Sequence, residues 1–314
     1  MEAIRYYSDE QVCIDTVAAM RWLDGKPMCP KCGKVEGERK HYWLATQRRW
    51  KCYSCRKQFS VKVDSVFEDS PLGLDKWLVA LWMLCNCKNG VSSHEIAREL
   101  GIAQKNAWHM LHRLRIALQL PNSGKLGGIV EADECFVGGK ISNMHQSKRA
   151  QLGGKTRGTK GKAVVVGMIE RGGRVRAQVT VDRSQNTIHP LISANVAKDA
   201  TLVTDEWGGY VGSTLDHEVI NHAIEYVRGH IHTNSIENFW SLLRRALNGT
   251  YVSVEPIHLQ AYIEEQVYRF NLRSRKDEKI TNADRFALAL SNIGGQRLTW
   301  NKLTGKEDGS EVPF

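Results

Sequence analysis

The sequence lacks any long hydrophobic run. Its longest apolar stretch, from Trp77 to Cys85, is too short to cross a bilayer. Residues 1–5 also lack the apolar segment of a signal peptide. A chain of 314 residues with 42% hydrophobic and 25% charged residues shows no compositional sign of disorder. These absences favour a globular, cytoplasmic protein of two or three domains that has no membrane partner.

Acidic residues are scarce relative to basic ones. The chain has 44 Lys and Arg against 34 Asp and Glu, which leaves a formal charge of +10. Such an excess favours a polyanionic partner, because phosphate contacts release counterions. A basic enzyme with an unrelated substrate would fit the charge equally well.

Four of the eight cysteines form two C-x2-C pairs, Cys29 with Cys32 and Cys52 with Cys55. Two such pairs direct four thiolates at one ion, so the pattern predicts a structural zinc ribbon with no open coordination position. A redox pair or four unrelated core cysteines are the alternatives. The other cysteines have no such spacing and are expected in the core: Cys13, Cys85, Cys87 and Cys135.

A helix-turn-helix is predicted between residues 92 and 118. Ser92 is placed to cap a short helix, Gly101 to make a tight turn, and a longer helix follows from about Gln104. We expect basic and polar side chains on the exposed side of this second helix to contact DNA. A helical linker with a solvated basic face is the alternative. The candidate DNA-binding residues are Lys105, Asn106, His109 and Arg113, with Arg115 nearby.

The region from residue 126 alternates strands and helices. Strands are predicted at 127–139, 162–169, 175–181, 200–205 and near 218–222, and helices at 188–197 and from about 234. Three antiparallel strands, a helix, a further strand and a late acidic helix are the order of an RNase H-like fold. The expected class is therefore α/β, a mixed sheet with flanking helices.

Carboxylates fall at matching points of this order. Glu131 and Asp133 share one face of the first strand, Glu134 points the other way, and Asp205 ends the fourth strand. Two neighbouring carboxylates repel unless a cation lies between them, and oxygen ligands suit Mg²⁺ or Mn²⁺. Each acid alone would also fit an ordinary surface charge or turn cap.

The third ligand is expected on the late helix. Glu237 is the first choice, and Arg244, two turns further on, is placed to bind phosphate. Two metal ions about 4 Å apart would activate a water or a 3′-hydroxyl and stabilise the leaving oxygen. A capping box, with Asn234 as N-cap and Glu237 three residues later, is the competing interpretation.

The segment between Gly139 and Lys162 is basic and contains several glycines but no acid. It follows the first acidic strand directly, so we expect it to contact DNA backbone there. A solvated insertion is the alternative. The candidate contact residues in this segment are Lys148, Arg149, Lys155, Arg157 and Lys160.

Three motifs together resemble one family. Glu131 to Lys140, Thr204 to Tyr210 and His232 to Arg245 are similar to the catalytic motifs of bacterial insertion-sequence transposases that carry an N-terminal zinc ribbon and an ISXO-type DDE domain. The resemblance implies binding of terminal inverted repeats, strand cleavage and strand transfer by a homo-oligomer on double-stranded DNA. The resemblance implies that Asp133 and Asp205 are catalytic metal ligands. At the third ligand position some family members have Glu and others Asn. Glu237 is therefore our first choice for that ligand and Asn234 the second.

Domain boundaries follow from these segments. We expect an N-terminal region at 1–65, a helix-turn-helix region at 70–122, a catalytic domain at 126–290 and a tail at 291–314. No small-molecule substrate is expected. A DNA-binding regulator that has lost catalysis and a structure-specific nuclease of the same fold are the competing functions.

Overall fold

The computed structural model describes residues 5–121, 124–139, 145–151, 159, 161–212, 215–220, 232–275 and 278–306. Within the described residues, the chain divides into two compact units, one formed by residues 5–119 with 272–306 and the other by residues 120–271. The second unit ends at residue 271, earlier than the expected boundary at 290. The reason is that the helix Asn282–Ser291 packs on helices of the first unit.

The elements are numbered in chain order within the described residues. The helices are α1 (Glu10–Arg21), α2 (Leu74–Asn86), α3 (Ser93–Leu100), α4 (Gln104–Ala117), α5 (Gln146–Gln151), α6 (Gln185–Asn195), α7 (Asn234–Arg245), α8 (Pro256–Asn271), α9 (Asn282–Ser291) and α10 (Trp300–Leu303). The strands are β1 (Tyr42–Leu44), β2 (Arg49–Lys51), β3 (Gln58–Phe59), β4 (Ile129–Val137), β5 (Ala163–Glu170), β6 (Val175–Thr180), β7 (Thr201–Thr204) and β8 (Asp216–Val219). None of the helices in these described parts is long and apolar enough to cross a membrane.

A small antiparallel sheet, β1-β2-β3, lies in the first unit. Trp50 pairs with Trp43 on one side and with Phe59 on the other. The rings of Trp50 and Phe59 stack 5.9 Å apart, and Trp22 meets Trp50 edge-on at 5.1 Å. These ring contacts give the small sheet an apolar centre of its own, because aromatic side chains bury a large area per residue.

The predicted helix-turn-helix is present as α3 and α4. The Ser92 hydroxyl accepts a 3.1 Å hydrogen bond from the Glu95 backbone N–H, which caps α3. Gly101 ends α3 with φ of 61°, a conformation that costs a residue with a side chain more than it costs glycine. Ile96, at the centre of α3, is fully buried.

The C-terminal segment, for which the sequence suggested no role, packs on α4. The Trp300 ring lies 5.7 Å from Trp108 and 5.5 Å from His109, and the Lys105 ammonium lies 4.4 Å from its centroid. The His109 Nε2 atom is also 3.2 Å from the carbonyl of Leu298. This segment therefore covers part of the helix surface that we expected to be open.

The expectation that Arg113 and Arg115 lie on the exposed side of α4 is wrong. Arg113 is 6% and Arg115 1% exposed. The Arg113 guanidinium donates to the carbonyl of Glu68 and lies 5.1 Å from the Trp77 ring centroid. Periodicity places a residue around a helix, but other segments of the chain decide whether its charge meets solvent or a carbonyl.

The second unit contains a five-stranded mixed sheet in the order β6-β5-β4-β7-β8. β4 pairs antiparallel with β5 and parallel with β7, and β5 pairs antiparallel with β6. This is the RNase H-like order expected from the sequence, with β4 at the centre. The side chains of a strand alternate between the faces, so β4 contributes to two separate layers.

One layer packs under α7 and α8. Ile236, Phe239, Trp240 and Leu243 of α7 are at most 1% exposed and meet β-sheet residues such as Cys135. On the other side of the sheet, Ile188 and Ile192 of α6 pack with Val130 and Ala132, the alternate residues of β4.

Gly167 of β5 permits the close approach of α7. It pairs with Asp133 of β4. A β-carbon at Gly167 would lie 2.5 Å from Trp240 and 3.0 Å from Ile236. The absence of a side chain therefore sets how near α7 comes to the sheet.

Candidate active site and zinc ribbon

The four cysteines of the ribbon converge. Cys29 Sγ lies 3.8 Å from Cys55 Sγ, and Cys32 Sγ lies 3.7 Å from Cys52 Sγ. All four sulfur atoms lie within 4.8 Å of one another. A zinc ion with four bonds of about 2.3 Å in a tetrahedron requires sulfur separations of roughly 3.8 Å. The thiolate set and its spacing thus fit a structural zinc ion, as the sequence predicted.

The thiol pKa values differ between the two C-x2-C pairs. Burial raises the pKa of the Cys29 thiol to about 12. Burial also acts on Cys52, but hydrogen bonds from the backbone of Cys55 and Ser54 outweigh it and lower the pKa of that thiol to about 7. A cation that binds four thiolates would remove the cost of ionising the buried Cys29.

Glu131, on β4, caps the helix α7. Its Oε2 accepts hydrogen bonds from the backbone N–H groups of Ser235 at 2.8 Å and Ile236 at 3.1 Å. The side chain is fully buried and forms an ion pair with Arg171 at 3.0 Å. A carboxylate at a helix N-terminus satisfies unpaired N–H groups and interacts favourably with the helix dipole. The sequence placed Glu131 on the correct face but did not assign it this contact.

Asp133 and Asp205 lie at corresponding points of neighbouring parallel strands. Glu131 of β4 pairs with Val203 of β7, and each aspartate comes two residues later in its own strand direction. Burial raises the pKa of Asp133, and the charge of Asp205 adds to this rise. The structure therefore brings together residues that are far apart in the sequence.

Asp133 is held by two hydrogen bonds. Its Oδ1 accepts from the backbone N–H of Glu134 at 2.7 Å, and its Oδ2 accepts from the Trp240 indole at 3.0 Å. Burial, and then the charges of Asp205 and Glu237, raise its pKa to about 6, although the hydrogen bonds act against this. An acid with such surroundings gains from a neighbouring cation, because the cation stabilises its ionised form.

Asp205 directly follows β7 and is half-buried. Its Oδ1 accepts a 3.0 Å hydrogen bond from the backbone N–H of Trp207. This bond closes a tight turn just after the carboxylate. The sequence prediction that Asp205 ends a strand at the edge of the sheet agrees with this placement.

Glu237 lies in the first turn of α7 and is exposed. The Thr233 hydroxyl donates to its Oε1 at 3.3 Å. Thr233, rather than Asn234, is the N-cap residue, so the alternative capping box of Asn234 with Glu237 is wrong. The helix begins one residue earlier than that box requires, and the buried Glu131 accepts hydrogen bonds from the backbone N–H groups of its first turn.

Asn234 and Arg244 also lie on the exposed side of α7. Asn234 is the first residue of the helix, one turn before Glu237. Arg244 approaches the buried Cys135 thiol, whose pKa is raised by burial and lowered by this arginine. Arg244 therefore lies beside the strand that carries Asp133 and keeps an exposed side chain.

Glu134 is a fourth acid near the site, and sequence reasoning gave it no role. Burial raises its pKa to about 7, and the charges of Asp133 and Asp205 add to this. The fully buried Tyr210 lies beside it, and its hydroxyl lowers the pKa of this carboxyl. Tyr210 belongs to the same motif as Asp205, and that shared motif was the available signal.

Asp133, Asp205 and Glu237 form an open arrangement. Within the described residues, only the four cysteines form a group whose ligand atoms all lie within 4.8 Å. Three carboxylates that serve two cations about 4 Å apart need not be so compact, and like charges separate without a cation. The donor set, three carboxylates on two strands and a helix, fits hard divalent cations.

The other predicted DNA-binding residues fall in different surroundings. Lys105 and Asn106 are exposed at the start of α4, whereas His109 is half-buried against the C-terminal segment. Arg149 is exposed on the short helix α5, which also contains Lys148. The remaining three candidates lie outside the described residues: Lys155, Arg157 and Lys160.

An RNase H-like sheet with carboxylates on its central strand, on the adjacent parallel strand and on the facing helix defines a class of metal-dependent enzymes that act on phosphodiesters. Family models agree. Residues 125–271 match the ISXO2-like transposase domain, and residues 8–58 match the transposase zinc-ribbon domain. Together these matches cover more than half of the chain, which belongs to the insertion-sequence transposases that carry both domains.

A curated relative supports the same family. The chain is 27% identical over 261 residues to the "Uncharacterized protein in transposable element ISH50" of Halobacterium salinarum, across 79% of this chain and 86% of that protein. A solved structure, the simian T-cell lymphotropic virus intasome in complex with PP2A regulatory subunit B56 gamma, covers 68% of this chain and 72% of its own. The two chains are 12% identical, and the TM-score of the match is 0.28.

Proposed function

We propose that this transposase binds the terminal inverted repeats of its insertion sequence, cleaves DNA strands there and joins the 3′ ends to a target. The observation that carries the proposal is the placement of Asp133: it comes two residues after a parallel β4–β7 pair, as Asp205 does, and it accepts a hydrogen bond from Trp240 of the helix that carries Glu237. Carboxylates that a fold brings to one end of a sheet repel one another, which is costly without a cation.

Asp133, Asp205 and Glu237 are the proposed ligands of Mg²⁺ or Mn²⁺, with Asn234 as the reserve for the third position. A bound divalent cation supplies activation of a water or 3′-hydroxyl and charge stabilisation of the leaving oxygen. Hydrogen bonds from Trp240 and from the backbone of Glu134 hold the Asp133 carboxylate in place. Such fixed orientation avoids reorganisation during the reaction.

Arg244 is proposed to bind a phosphate of the DNA strand beside the scissile bond. Its exposed side chain lies two turns after Glu237 on the same helix. A guanidinium offers paired N–H donors that match phosphate oxygens. Replacement by lysine would keep the charge but lose this geometry.

DNA binding away from the reacting phosphate is proposed for the front of the chain. Lys105 and Asn106 lie at the N-terminal end of α4, the part of a recognition helix that enters the major groove. Burial removes Arg113 from this set. The basic segment after β4 is proposed to contact phosphates closer to the acidic strand, through Lys148, Arg149, Lys155, Arg157 and Lys160. Because two element ends must meet, we further propose a homo-oligomer on DNA.

The test uses DNA that carries the repeats flanking the gene. Purified wild-type protein should cleave and join this DNA only when Mg²⁺ or Mn²⁺ is present. Asp133→Asn and Asp205→Asn should each lower both rates roughly 1000-fold, since a cation contributes several kcal/mol to the transition state. Equal activity in the wild type and both variants would refute the assignment. Binding without any metal-dependent cleavage would favour a DNA-binding regulator, and cleavage without joining would favour a nuclease.

A further inference from the structure

An exposed tryptophan lies beside the proposed catalytic carboxylates but is not one of the proposed metal ligands. Trp207 is two residues after Asp205, and 37% of its surface is exposed. Its backbone N–H donates to the Asp205 carboxylate at 3.0 Å. The same turn thus fixes both the carboxylate and the ring.

Trp207 is the outer layer of a stack. The Arg183 guanidinium carbon lies 3.5 Å from the Trp207 ring centroid and 5.3 Å from the Phe136 ring centroid. Phe136 is on β4, three residues after Asp133. We define the stacked shelf as Phe136, Arg183 and Trp207. Phe136 and Trp207 belong to the strand and the turn that carry the two aspartates, and Arg183 lies in the turn between β6 and α6.

The seat of the indole is rigid. A β-carbon at the buried Gly209 would lie 2.5 Å from the Trp207 Nε1 atom, so the ring lies directly against the glycine backbone. The Gln185 side chain donates to the carbonyls of Gly208 at 3.2 Å and Val211 at 3.3 Å, which ties the turn to α6. A ring fixed in this way loses little conformational entropy when a ligand stacks on it.

The turn that contains Arg183 is also fixed by hydrogen bonds. The Asp182 carboxylate accepts hydrogen bonds from the Ser184 backbone at 2.9 Å and from the Thr187 hydroxyl at 2.6 Å. This turn directs Arg183 under the indole. The guanidinium covers one face of the Trp207 ring, and 37% of the residue remains exposed.

We propose that the stacked shelf binds an unpaired nucleobase of the DNA strand next to the scissile phosphate. A planar base would continue the stack outwards from Trp207, and Arg183 would strengthen it through its charge. Base stacking on an aromatic side chain requires no particular base, so Trp207 would position the strand rather than read its sequence. This inference rests on the proposed function, because it requires DNA at Asp133 and Asp205.

The first experiment measures single-turnover cleavage of end-repeat DNA by full-length protein in Mg²⁺. Trp207→Ala should lower the cleavage rate roughly tenfold, and Trp207→Phe, which keeps a ring, should lower it less. Val211→Ala is the matched control, since Val211 is exposed in the same loop and contributes no ring. It should cleave at the wild-type rate.

Abasic substrates separate stacking from a merely structural role. An abasic nucleotide is placed at each position beside the scissile phosphate in turn. At the stacked position, the wild type and Trp207→Ala should cleave the abasic DNA at equal rates. If Trp207→Ala slows intact and abasic DNA equally at every position, or slows neither, the shelf does not bind a base.

A second measurement does not depend on cleavage. The same DNA carries 5-iododeoxyuridine beside the scissile phosphate, and the irradiated complex is digested for mass spectrometry. An adduct on the peptide containing Trp207 is expected, and adducts confined to other peptides would overturn the proposal. If the wild type cleaves no DNA at all, the proposed function fails, while the position of the adduct still decides whether the shelf contacts a base.

Discussion

The backbone N–H of Ser235 donates a 2.8 Å hydrogen bond to the buried carboxylate of Glu131. Through this bond, the strand that carries Asp133 also caps the helix that carries Glu237. The contact joins residues more than one hundred positions apart in the sequence. It fixes the start of α7, and therefore the place of the third proposed ligand, relative to the sheet.

Substitution of Glu131 tests this cap. Glu131→Gln keeps the shape but removes the charge that pairs with Arg171, and it exchanges an acceptor for an amide donor that faces backbone N–H groups. We expect a loss of roughly 1–3 kcal/mol in the free energy of unfolding, the range for leaving a buried hydrogen-bond donor without its acceptor. Chemical denaturation measures this, and metal-dependent cleavage should fall with it.

The control for this substitution is Glu255→Gln. Glu255 is exposed, so its loss should change stability by no more than about 0.5 kcal/mol. If Glu131→Gln behaved like Glu255→Gln in both stability and cleavage, the cap would have no positioning role.

Gly167→Ala tests the close packing of α7 on the sheet. The added methyl group would lie 2.5 Å from Trp240, whose indole holds Asp133 at 3.0 Å. Overpacking of this kind costs about 1–3 kcal/mol, and displacement of the indole should also lower the cleavage rate. Thermal unfolding and cleavage assays measure the two effects.

Gly127→Ala is the matched control, because no atom lies within 4 Å of a β-carbon built there. Its unfolding temperature and cleavage rate should stay close to those of the wild type. If Gly167→Ala kept the unfolding temperature and cleavage rate of the wild type, α7 could move away from the sheet without disturbing Asp133.

The stability of the metal-free protein should decrease as the pH rises through the raised pKa values of the site. Burial raises the pKa of Asp133 from 3.8 to about 6 and that of Glu134 from 4.5 to about 7. The folded protein therefore keeps these protons at pH values where the unfolded chain has lost them. Their contribution to stability is present below the ordinary pKa values and is lost as the pH rises through the raised ones.

Mg²⁺ should reverse this trend, because it binds the ionised carboxylates and stabilises the folded state above the raised pKa values more than below them. Unfolding temperature as a function of pH, with and without Mg²⁺, measures both effects. Asp133→Asn should flatten the metal-free profile and weaken the response to Mg²⁺. Parallel profiles for the wild type and this variant would contradict the assignment of the raised pKa to Asp133.

We expect the four cysteines of the ribbon to bind about one zinc ion per chain. Elemental analysis of purified protein should show this ion, and its loss from the double variant Cys29→Ser with Cys52→Ser. Since metal binding contributes to folding of such small modules, the double variant should also unfold at lower temperature. Cys87→Ser, outside the ribbon, should keep the zinc, and retention by the double variant would remove the site.

Much of the second unit could be predicted because periodicity and motif agree there. The alternation around Asp133 assigned Glu131 and Asp133 to one face and Glu134 to the other, which is the arrangement in β4. The order of strands placed Asp205 beside Asp133. Local patterns suffice for these features because each strand displays its side chains with a period of two.

Features that depend on long-range contacts could not be predicted in this way. The burial of Arg113 depends on the carbonyl of Glu68 and on the Trp77 ring, which no local pattern links to α4. The start of α7 depends on Glu131, so the local capping pattern of Asn234 and Glu237 indicated the wrong first residue. The packing of Trp300 on α4 likewise joins distant segments.

Mn²⁺ binding tests the central claim most directly, because it requires neither an element end nor turnover. Paramagnetic resonance of Mn²⁺ titrated into the full-length, zinc-loaded protein reports how much of the ion is bound. The wild type and Glu255→Gln should bind Mn²⁺ alike, whereas Asp133→Asn and Asp205→Asn should each weaken binding severely and Glu237→Gln should weaken it measurably. Undiminished binding in both aspartate variants would contradict the claim that these carboxylates hold the cation.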